Sequence, residues 1–258
     1  MTVARIYLPR EMEAGERVTL AGPDRRYILA VRRMKKGDKL LLFDGKGNEY
    51  EAVILDHDPE SLSLEIARKE SRHTAALRIT LAQSLPKAKK MDFIIEKASE
   101  LGAAGIIPFL SLRSVPQLTP GQGALKQRRW QKIALEAARK SHAGSIPEVS
   151  AVLTFEEMLG SADDRAVKLI FWEEEKKRHL KQMFKERIGE ESRDFFLVVG
   201  PEGGLAREEV DLAVGRGFTS VSLGRQVLKV ETAALAILAI IQYEKGIFRA
   251  DGLSGGDL

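Results

Sequence analysis

Hydrophobic and polar positions alternate over short distances along the first seventy residues. Each short run is typical of a β-strand; the runs are VTL at 18–20, KLLLF at 39–43, EYEAVIL at 49–55 and LSLEIA at 62–67. Asp44-Gly45 followed by Lys46-Gly47 indicates a tight turn between two of the strands. Pro23 suits the first turn of a short helix within 23–33. The pattern predicts a small β-barrel or sheet module.

The pattern changes near residue 77, where apolar runs begin to alternate with segments of helical periodicity. RITLAQ, GIIPFL, VKLIFW, FFLVV and SVSLG are each followed by such a segment, which is typical of an α/β domain with a mostly parallel sheet. The helix after Pro86 should end at Gly102 and bury one face, formed by Met91, Ile94, Ile95, Ala98 and Leu101. The polar stretch 68–76 predicts a boundary, which divides the chain into domains at 1–72 and 73–250 and a disordered tail at 251–258.

Composition narrows the class of protein. The chain has no cysteine, which excludes disulfides and thiolate metal sites, and its four histidines form no pair at ligand spacing. The longest apolar run, 233–241, is too short to span a bilayer, and the N-terminus does not have the pattern of a signal peptide. We therefore expect a cytoplasmic protein without a metal.

Positive charge is concentrated although the formal net charge is only +4. Residues 25–39 hold seven Lys or Arg and one Asp, residues 126–142 hold six and one Glu, and PKAKK at 86–90 adds three Lys. Such clusters are typical either of solvated helix faces or of a surface that binds a polyanion such as nucleic acid.

The sequence FFLVVGPEGGLAREEVD, 195–211, joins a buried strand to a helix through a glycine-rich turn. Turns of this kind form ligand sites at the carboxyl edge of a sheet. The chain has no Walker loop, no G-x-G-x-x-G and no G-x-S-x-G nucleophile elbow. Glu202 within the turn would repel a phosphate, which favours a polar uncharged or cationic ligand. The alternative is a tight connection without a ligand, in which the proline and the glycines only supply the backbone angles.

A second stretch, SLGRQVLKVETAALAIL at 222–238, repeats this organisation. A short strand should end at Leu223-Gly224, followed by a turn that carries Arg225 and Lys229. Thr232 is a candidate helix N-cap, and Glu231 lies where the helix dipole favours a carboxylate by roughly 0.3–1 kcal/mol.

The two stretches together resemble the paired motifs of the 16S ribosomal RNA uracil-N3 methyltransferases, members of the SPOUT superfamily. Earlier in the chain, further segments are similar to that family and occur in the same order: RIYLP, VRRMKKGD, LFDGKGNEY, LPKAKKMDFIIEKASELGA, IIPFLSLRSV and WQKIALEAARK. The chain departs from the family pattern at Gln226, Lys229, Tyr27 and 139–143.

The resemblance implies a PUA-like β-barrel that binds RNA, followed by a SPOUT α/β domain with a trefoil knot, an exception to the rule that chains do not thread loops. It implies a homodimer that uses S-adenosylmethionine to methylate N3 of uridine 1498 (standard 16S numbering) in 16S rRNA or the small ribosomal subunit. The alternatives are a related enzyme that methylates a ribose 2′-oxygen or another base, and an RNA-binding assembly factor without catalysis.

The resemblance also assigns site residues. The cofactor would be held by the 200–204 turn, the second loop and the backbone of a loop at 107–110, through Gly200, Pro201, Glu202, Gly203, Gly204, Leu223, Gly224, Leu228, Pro108 and Leu110. Glu231 would be the general base or an orienting group, with Arg113 and Lys229 stabilising negative charge on the uracil. The expected RNA contacts are Arg5, Arg32, Arg33, Lys35, Lys36, Lys87, Lys90 and Arg225.

Overall fold

The computed structural model describes residues 4–71, 77–115, 119 and 121–246. The chain forms two compact units, the first from Met1–Thr74 with Ala138–Ile146 and the second from Ala75–Ala137 with Pro147–Leu258. The grouping of 138–146 with the first unit differs from the predicted division, which placed all of 73–250 in one domain. Residues 72–76 and the predicted tail 251–258 lie outside the described residues.

The first unit contains one five-stranded sheet with the strand order β1-β3-β4-β5-β2. β1 is parallel to β3, and the other neighbours are antiparallel. A short helix α1, Gly22–Arg26, continues into a π-helical turn, Tyr27–Val31. The predicted strands are confirmed, and β1 is added to them; the strands are β1 Arg5–Tyr7, β2 Arg17–Ala21, β3 Lys39–Phe43, β4 Asn48–His57 and β5 Ser61–Ser71.

Alternating burial along these strands builds the core of the first unit. Tyr50, Ala52 and Ile54 of β4 are buried on one face, because successive side chains of a strand point to opposite sides. Leu62, Leu64 and Ile66 continue the same cluster from β5.

Arg5 is a structural residue of this unit, so its predicted contact with RNA is wrong. The side chain is only 2% exposed, and its Nη2 lies 2.7 Å from Oε1 of Glu49. Its Nη1 donates to the Ala138 carbonyl at 2.8 Å, and Nη2 donates to the Ala143 carbonyl at 2.7 Å. The guanidinium also stacks 3.7 Å from the ring centre of Phe43. The basic group is therefore used to hold residues 138–146 against the sheet.

The second unit has a parallel sheet with the order β12-β10-β11-β6-β7-β8, in which β9 also pairs with β7. Every ladder of this sheet is parallel, as predicted. Its strands are β6 Arg78–Ser84, β7 Gly105–Leu110, β8 Glu148–Val149, β9 Leu153–Thr154, β10 Val167–Phe171, β11 Asp194–Val199 and β12 Thr219–Val221. Its helices are α2 Lys90–Glu100, α3 Gln122–Lys140 (whose last residues belong to the first unit), α4 Phe155–Gly160, α5 Leu180–Glu186, α6 Arg207–Gly215 and α7 Val230–Glu244.

Two apolar clusters support the parallel sheet. One includes the predicted buried face of α2 together with Ile237, Leu238 and Ile241 of α7. The other includes Phe196, Val198 and residues of α4 and α6. Because all strands are parallel, their carboxyl ends and the loops that follow them meet at the same edge of the sheet.

Two predictions of helix ends can be compared with the structure. Gly102 follows the C-cap residue of α2 with φ +71°, which confirms the predicted stop. Thr232 is not the N-cap of α7, because the helix already begins at Val230 and the N-cap is Lys229. The prediction relied on the preference of threonine for the N-cap, whereas the helix starts two residues earlier with Val230, which is buried in the core.

Among the described residues, no helix has the length and apolar character needed to cross a bilayer. The same residues contain no cluster of three or more His, Asp or Glu side chains placed to hold a metal ion.

Candidate active site

A cavity of about 350 Å³ lies at the carboxyl edge of the parallel sheet. The turn 200–204 follows β11, and the loop 222–229 follows β12, with β10 between these two strands. The volume is within the range of small-molecule sites, which is roughly 300–1,000 Å³. The two stretches that the sequence singled out therefore line one cavity: Lys90, Phe171, Trp172, Glu173, Val199, Gly200, Pro201, Glu202, Gly204, Ser222, Leu223, Gly224, Arg225, Gln226, Val227, Leu228, Lys229, Val230 and Ala233.

The glycines of the 200–204 turn lie so close to neighbouring residues that a side chain would not fit without movement. A Cβ added to Gly200 would lie 2.9 Å from Cγ of Leu205, closer than real Cβ contacts. Gly204 has φ +69°, and its N–H closes the turn on the Pro201 carbonyl at 2.9 Å. Gly203 faces Arg113, where an added Cβ would lie 3.3 Å from the arginine Cβ. The turn is thus held close to its neighbours and presents backbone to the cavity.

The second loop is fixed at its start by Ser222. The Ser222 side chain accepts a hydrogen bond from the Gly224 N–H at 3.2 Å, where Gly224 has φ +125°. The Ser222 N–H donates to the Arg178 carbonyl at 2.8 Å, and its carbonyl accepts from the Leu180 N–H at 3.3 Å. These bonds align the loop with the segment before α5 and leave Leu223 and Leu228 half-buried in the cavity wall.

Three charged groups meet beside the cavity. Nζ of Lys90 lies 2.9 Å from Oε1 of Glu202 and 3.6 Å from Oε2 of Glu231. Burial opposes ionisation of Glu202, but hydrogen bonds from Lys90 and from the Lys87 N–H outweigh it and lower the pKa of the carboxyl. The hydrogen bond to Glu202 raises the pKa of Lys90. At neutral pH both side chains of this pair are therefore ionised.

Glu231 lies in the first turn of α7 but is not one of the residues that line the cavity. Its Oε2 atom is buried and has no hydrogen-bond partner, with Lys90 as a charged neighbour. Of the two roles expected for Glu231, this geometry favours an orienting group, because the carboxylate contacts a residue of the cavity wall.

Arg113 lies in the loop after β7 and reaches the glycine turn, donating from Nη1 to the Gly203 carbonyl at 3.0 Å. Its loop is supported by hydroxyl contacts: Ser84 Oγ lies 2.8 Å from the Oγ atoms of both Ser111 and Ser114. Arg113 is exposed and does not line the cavity itself.

Glu209 is a structural residue of the site that the sequence analysis missed. Its carboxylate is buried and accepts the Ala206 N–H on Oε2 at 2.9 Å, at the start of α6. Its Oε1 accepts the Leu112 N–H at 2.8 Å, in the Arg113 loop. The capping pattern of a Glu three residues into a helix was readable in the sequence, but the second contact depends on the tertiary fold.

Pro108 and Leu110 do not reach the cavity, contrary to expectation. Both lie in β7, which is separated from β11 by β6. Pro108 is buried, and Leu110 lines a second groove of about 520 Å³ with residues of α4 and α6. The error arose because the strand continues to Leu110, so these residues belong to the sheet rather than to a loop that covers the cavity.

The expected RNA contacts are distributed over both units. Within the first unit, the exposed residues Arg32, Arg33, Lys35 and Lys36 follow the π-helical turn. Within the second unit, Lys87 is exposed, Arg225 is an exposed residue of the cavity rim, and Lys90 lies in the cavity wall.

The carboxyl end of β10 adds residues that the sequence analysis did not assign to a site: Phe171, Trp172 and Glu173. The Trp172 indole donates to the Leu205 carbonyl at 3.3 Å, next to the glycine turn. The sequence VKLIFW predicts the strand, but its place between β11 and β12 follows only from the strand order.

Comparison with known protein families gives two matches along the chain. Residues 73–242 match the RNA methyltransferase domain, and residues 20–67 match the RNA methyltransferase PUA domain. The first match alone covers more than half of the chain.

Curated relatives and solved structures agree with these matches. The ribosomal RNA small subunit methyltransferase E of Bacillus subtilis is 30% identical over 245 residues, covering 94% of this chain and 96% of the relative. The protein of the same name from Synechocystis is 34% identical over 227 residues, covering 87% of this chain and 72% of the relative.

Two solved structures are similar over most of the chain. That of ribosomal RNA small subunit methyltransferase E from Neisseria gonorrhoeae bound to S-adenosylmethionine superposes with a TM-score of 0.82, at 30% identity over 94% of this chain and 98% of the other. A putative methyltransferase from Legionella pneumophila in complex with the same cofactor superposes with a TM-score of 0.79, at 29% identity over 94% of this chain and 98% of the other. The chain belongs to the RNA methyltransferase family that contains the ribosomal RNA small subunit methyltransferases E.

Proposed function

We propose that the protein transfers a methyl group from S-adenosylmethionine to N3 of a uridine in 16S rRNA during small-subunit maturation, at uridine 1498 by the resemblance of its motifs. The observation that carries the proposal is the single cavity formed by the 200–204 turn and the 222–229 loop, in a chain of this family.

The residues of the cavity suit S-adenosylmethionine, which has a sulfonium and an amino cation as well as a carboxylate. Glu173 and Glu202 are acidic residues of the lining, and Arg225 and Lys229 are basic residues of the 222–229 loop. The closely packed glycines would allow an adenosyl group to contact backbone, and Leu223 and Leu228 offer apolar surface. When bound, this cofactor supplies a methyl group on a positively charged sulfur.

Methylation at N3 of uridine requires residues that assist loss of the N3 proton and stabilise negative charge on the base. N3 of uridine carries a proton that must be lost, and a paired or stacked base must first be exposed, at a cost of a few kcal/mol. Lys229, on the cavity rim, and Arg113, beside the glycine turn, are the proposed stabilisers of negative charge on the uracil oxygens. Glu231 is proposed to orient Lys90 or, after movement of that side chain, to accept the proton.

The RNA partner is proposed to contact both units. In the first, the exposed basic residues 32–36 are suited to phosphate groups, and in the second Lys87 and Arg225 lie near or on the cavity rim. A trefoil knot and a homodimer are proposed from the family resemblance. Light scattering of the purified protein would test the dimer, and a mass equal to one chain would reject it.

Reverse transcription tests the proposed position of the methyl group. A methyl group at N3 removes the donor that pairs with adenine, so cDNA synthesis should stop at the modified uridine. Small subunits from cells that lack the modification would be incubated with the protein, with or without S-adenosylmethionine. We expect a new stop only with the cofactor; read-through at every uridine, despite methyl incorporation, would mean another atom or another nucleotide.

A further inference from the structure

Lys90 has a different environment from the other lysines of its segment. Lys87 and Lys89 are exposed, whereas the Lys90 side chain is 34% exposed and lines the cavity at the start of α2. Contact with RNA was the expectation for Lys90, as for Lys87. The structure places the Lys90 side chain in the cavity wall, next to two glutamates.

The contacts of Lys90 join three elements of the second unit. Glu202 belongs to the turn after β11, and Glu231 belongs to the first turn of α7, which directly follows the second loop. Lys90 Nζ lies 2.9 Å and 3.6 Å from these two carboxylates, respectively. A charge-assisted hydrogen bond to one carboxylate and an ion pair with the other favour a fixed lysine over one that is free to bind phosphate.

We propose that Lys90 is a positioning residue of the cofactor cavity: its ammonium group holds Glu202 and Glu231 together and thereby fixes the 200–204 turn relative to the loop that precedes α7. The inference rests on the proposed function to the extent that this cavity binds S-adenosylmethionine.

Removal of the ammonium group would take away the cation that lies 2.9 Å from Glu202 and 3.6 Å from Glu231. Because the hydrogen bond from Lys90 lowers the pKa of the Glu202 carboxyl, Glu202 would retain its proton to a higher pH in such a variant. The other charged groups that line the cavity are Glu173, Arg225 and Lys229, and they are present in every variant considered. A new pH dependence in a Lys90 variant would therefore report on the Glu202 carboxyl.

The test compares Lys90→Met with Lys89→Met, which removes an exposed charge one residue away. Binding of S-adenosylmethionine to the protein without RNA would be measured by calorimetry between pH 5.5 and pH 8, and binding of rRNA fragments would be measured against salt concentration. We expect Lys90→Met to weaken cofactor binding about tenfold at neutral pH, as for removal of a charge-assisted hydrogen bond, and to add a pH dependence. Lys89→Met should leave cofactor binding unchanged.

The measurement of RNA binding against salt distinguishes a positioning role of Lys90 from neutralisation of a phosphate. If Lys90 is a positioning residue, its replacement leaves the salt slope of RNA binding unchanged. If it neutralises a phosphate, its replacement reduces the slope by about 0.7 on a single strand. A reduced slope with unchanged cofactor affinity would overturn the proposal.

Two further variants test whether the charge of Lys90 is what matters and provide a measurement if Lys90→Met does not fold. Lys90→Arg keeps the charge and should restore most of the cofactor affinity, and failure of this rescue would count against an electrostatic role. If Lys90→Met does not fold, Glu231→Gln removes the 3.6 Å partner, which does not line the cavity, and should also weaken cofactor binding, though less than Lys90→Met. Neither readout depends on the methylated nucleotide, so a different RNA product would refute the proposed function without affecting this test.

Discussion

At the scale of single residues, the function of a charged side chain depends on its partners. Glu231 has one buried oxygen without a hydrogen bond, and Lys90 is its charged neighbour in the cavity wall. Arg5 and Lys90 were both expected at an RNA surface, yet each is paired with glutamate in the structure.

Glu231→Gln keeps the shape of the side chain and removes its charge. We expect the single-turnover rate of methyl transfer to fall by about 10²-fold or more, the lower range for removal of an acid–base group. Cofactor binding should change less than in Lys90→Met, because Lys90 keeps Glu202 as its closer partner. Rapid-quench assays would measure the rate, with Glu244→Gln at the exposed end of the same helix as the control. An unchanged rate would exclude a catalytic or orienting role for Glu231.

Arg5→Met should destabilise the protein while leaving the salt dependence of RNA binding unchanged. The change removes the arginine of a buried ion pair, for which a cost of about 3–5 kcal/mol is typical. Urea denaturation would measure the free energy of unfolding. Arg10→Met is the control, because the Arg10–Glu16 pair is largely exposed and such pairs contribute little. A destabilisation as small as that of the control would show that the Arg5 pair is not needed for stability.

The sequence predicted which glycines lie at the cavity, but it did not predict the role of a side chain whose partner is distant in the chain. Gly200, Gly204 and Gly224 were predicted at the cavity, and they lie there because turns that approach a ligand need glycine. Glu209 was missed because its second acceptor oxygen bonds the N–H of Leu112, which is 97 positions away in the chain.

At the scale of elements, hydrogen bonds between loops and helix starts determine the shape of the site. The carboxylate of Glu209 connects the start of α6 with the loop that carries Arg113. That loop in turn contacts the glycine turn through the Gly203 carbonyl.

Glu209→Gln should separate these two elements. The amide offers one acceptor oxygen for two backbone donors, so one buried N–H would face an NH₂ group. We expect a decrease of about 1–3 kcal/mol in the free energy of unfolding and weaker cofactor binding. Chemical denaturation and calorimetry would measure the two effects, and Glu208→Gln provides an exposed neighbour as the control. Full stability of Glu209→Gln would contradict the proposed coupling of loop and helix.

The turn between β3 and β4 should give a pH-dependent contribution to stability. Burial opposes ionisation of Asp44, but hydrogen bonds from Asn48, the Lys46 N–H and Tyr50 outweigh it and lower the pKa of the carboxyl. A lowered pKa in the folded state stabilises the protein fully above the ordinary aspartate pKa, about 3.9, and this contribution disappears as the pH falls through the lower folded value.

Asp44→Asn should therefore cost about 1–3 kcal/mol at pH 7, because it presents donors to buried N–H groups. The difference from the unmodified protein should shrink as the pH falls below the ordinary aspartate pKa of about 3.9, which denaturation at a series of pH values would show. A difference that is independent of pH would mean that the shape of the side chain, and not its charge, is what matters.

The periodicity of hydrophobic positions predicted most helices and strands. Three of the shortest strands were not predicted. β1, β8 and β9 have three, two and two residues, too few for a pattern. GIIPFL has the pattern of a strand, but the resemblance assigned 107–110 to a loop, and this placed Pro108 and Leu110 at the cavity. The strand order of the parallel sheet, which brings β10 between the two loops, is a tertiary property.

At the scale of the whole molecule, positive charge is distributed unevenly along the chain. The net charge of +4 is modest, but exposed basic residues are grouped at 32–36. Such grouping predicts binding that depends on the release of counterions from RNA.

Replacement of Arg32, Arg33, Lys35 and Lys36 by Met should weaken binding to rRNA fragments and flatten its salt dependence. The slope of log affinity against log salt should decrease by about 0.7 for each single-stranded phosphate that is no longer neutralised. Fluorescence anisotropy at several salt concentrations would measure it. Lys181→Met with Lys185→Met, two exposed positions on α5, provides the control. Equal slopes in both variants would show that 32–36 does not bind phosphates.

The central claim is that the cavity after β11 and β12 catalyses methylation of uridine at N3. The most direct test is methyl transfer from labelled S-adenosylmethionine to small ribosomal subunits from cells lacking the modification, followed by mass analysis of the nucleosides. We predict that the label appears in N3-methyluridine. Label in a 2′-O-methylated nucleoside or in another base, or no transfer together with no binding of the cofactor, would contradict the claim.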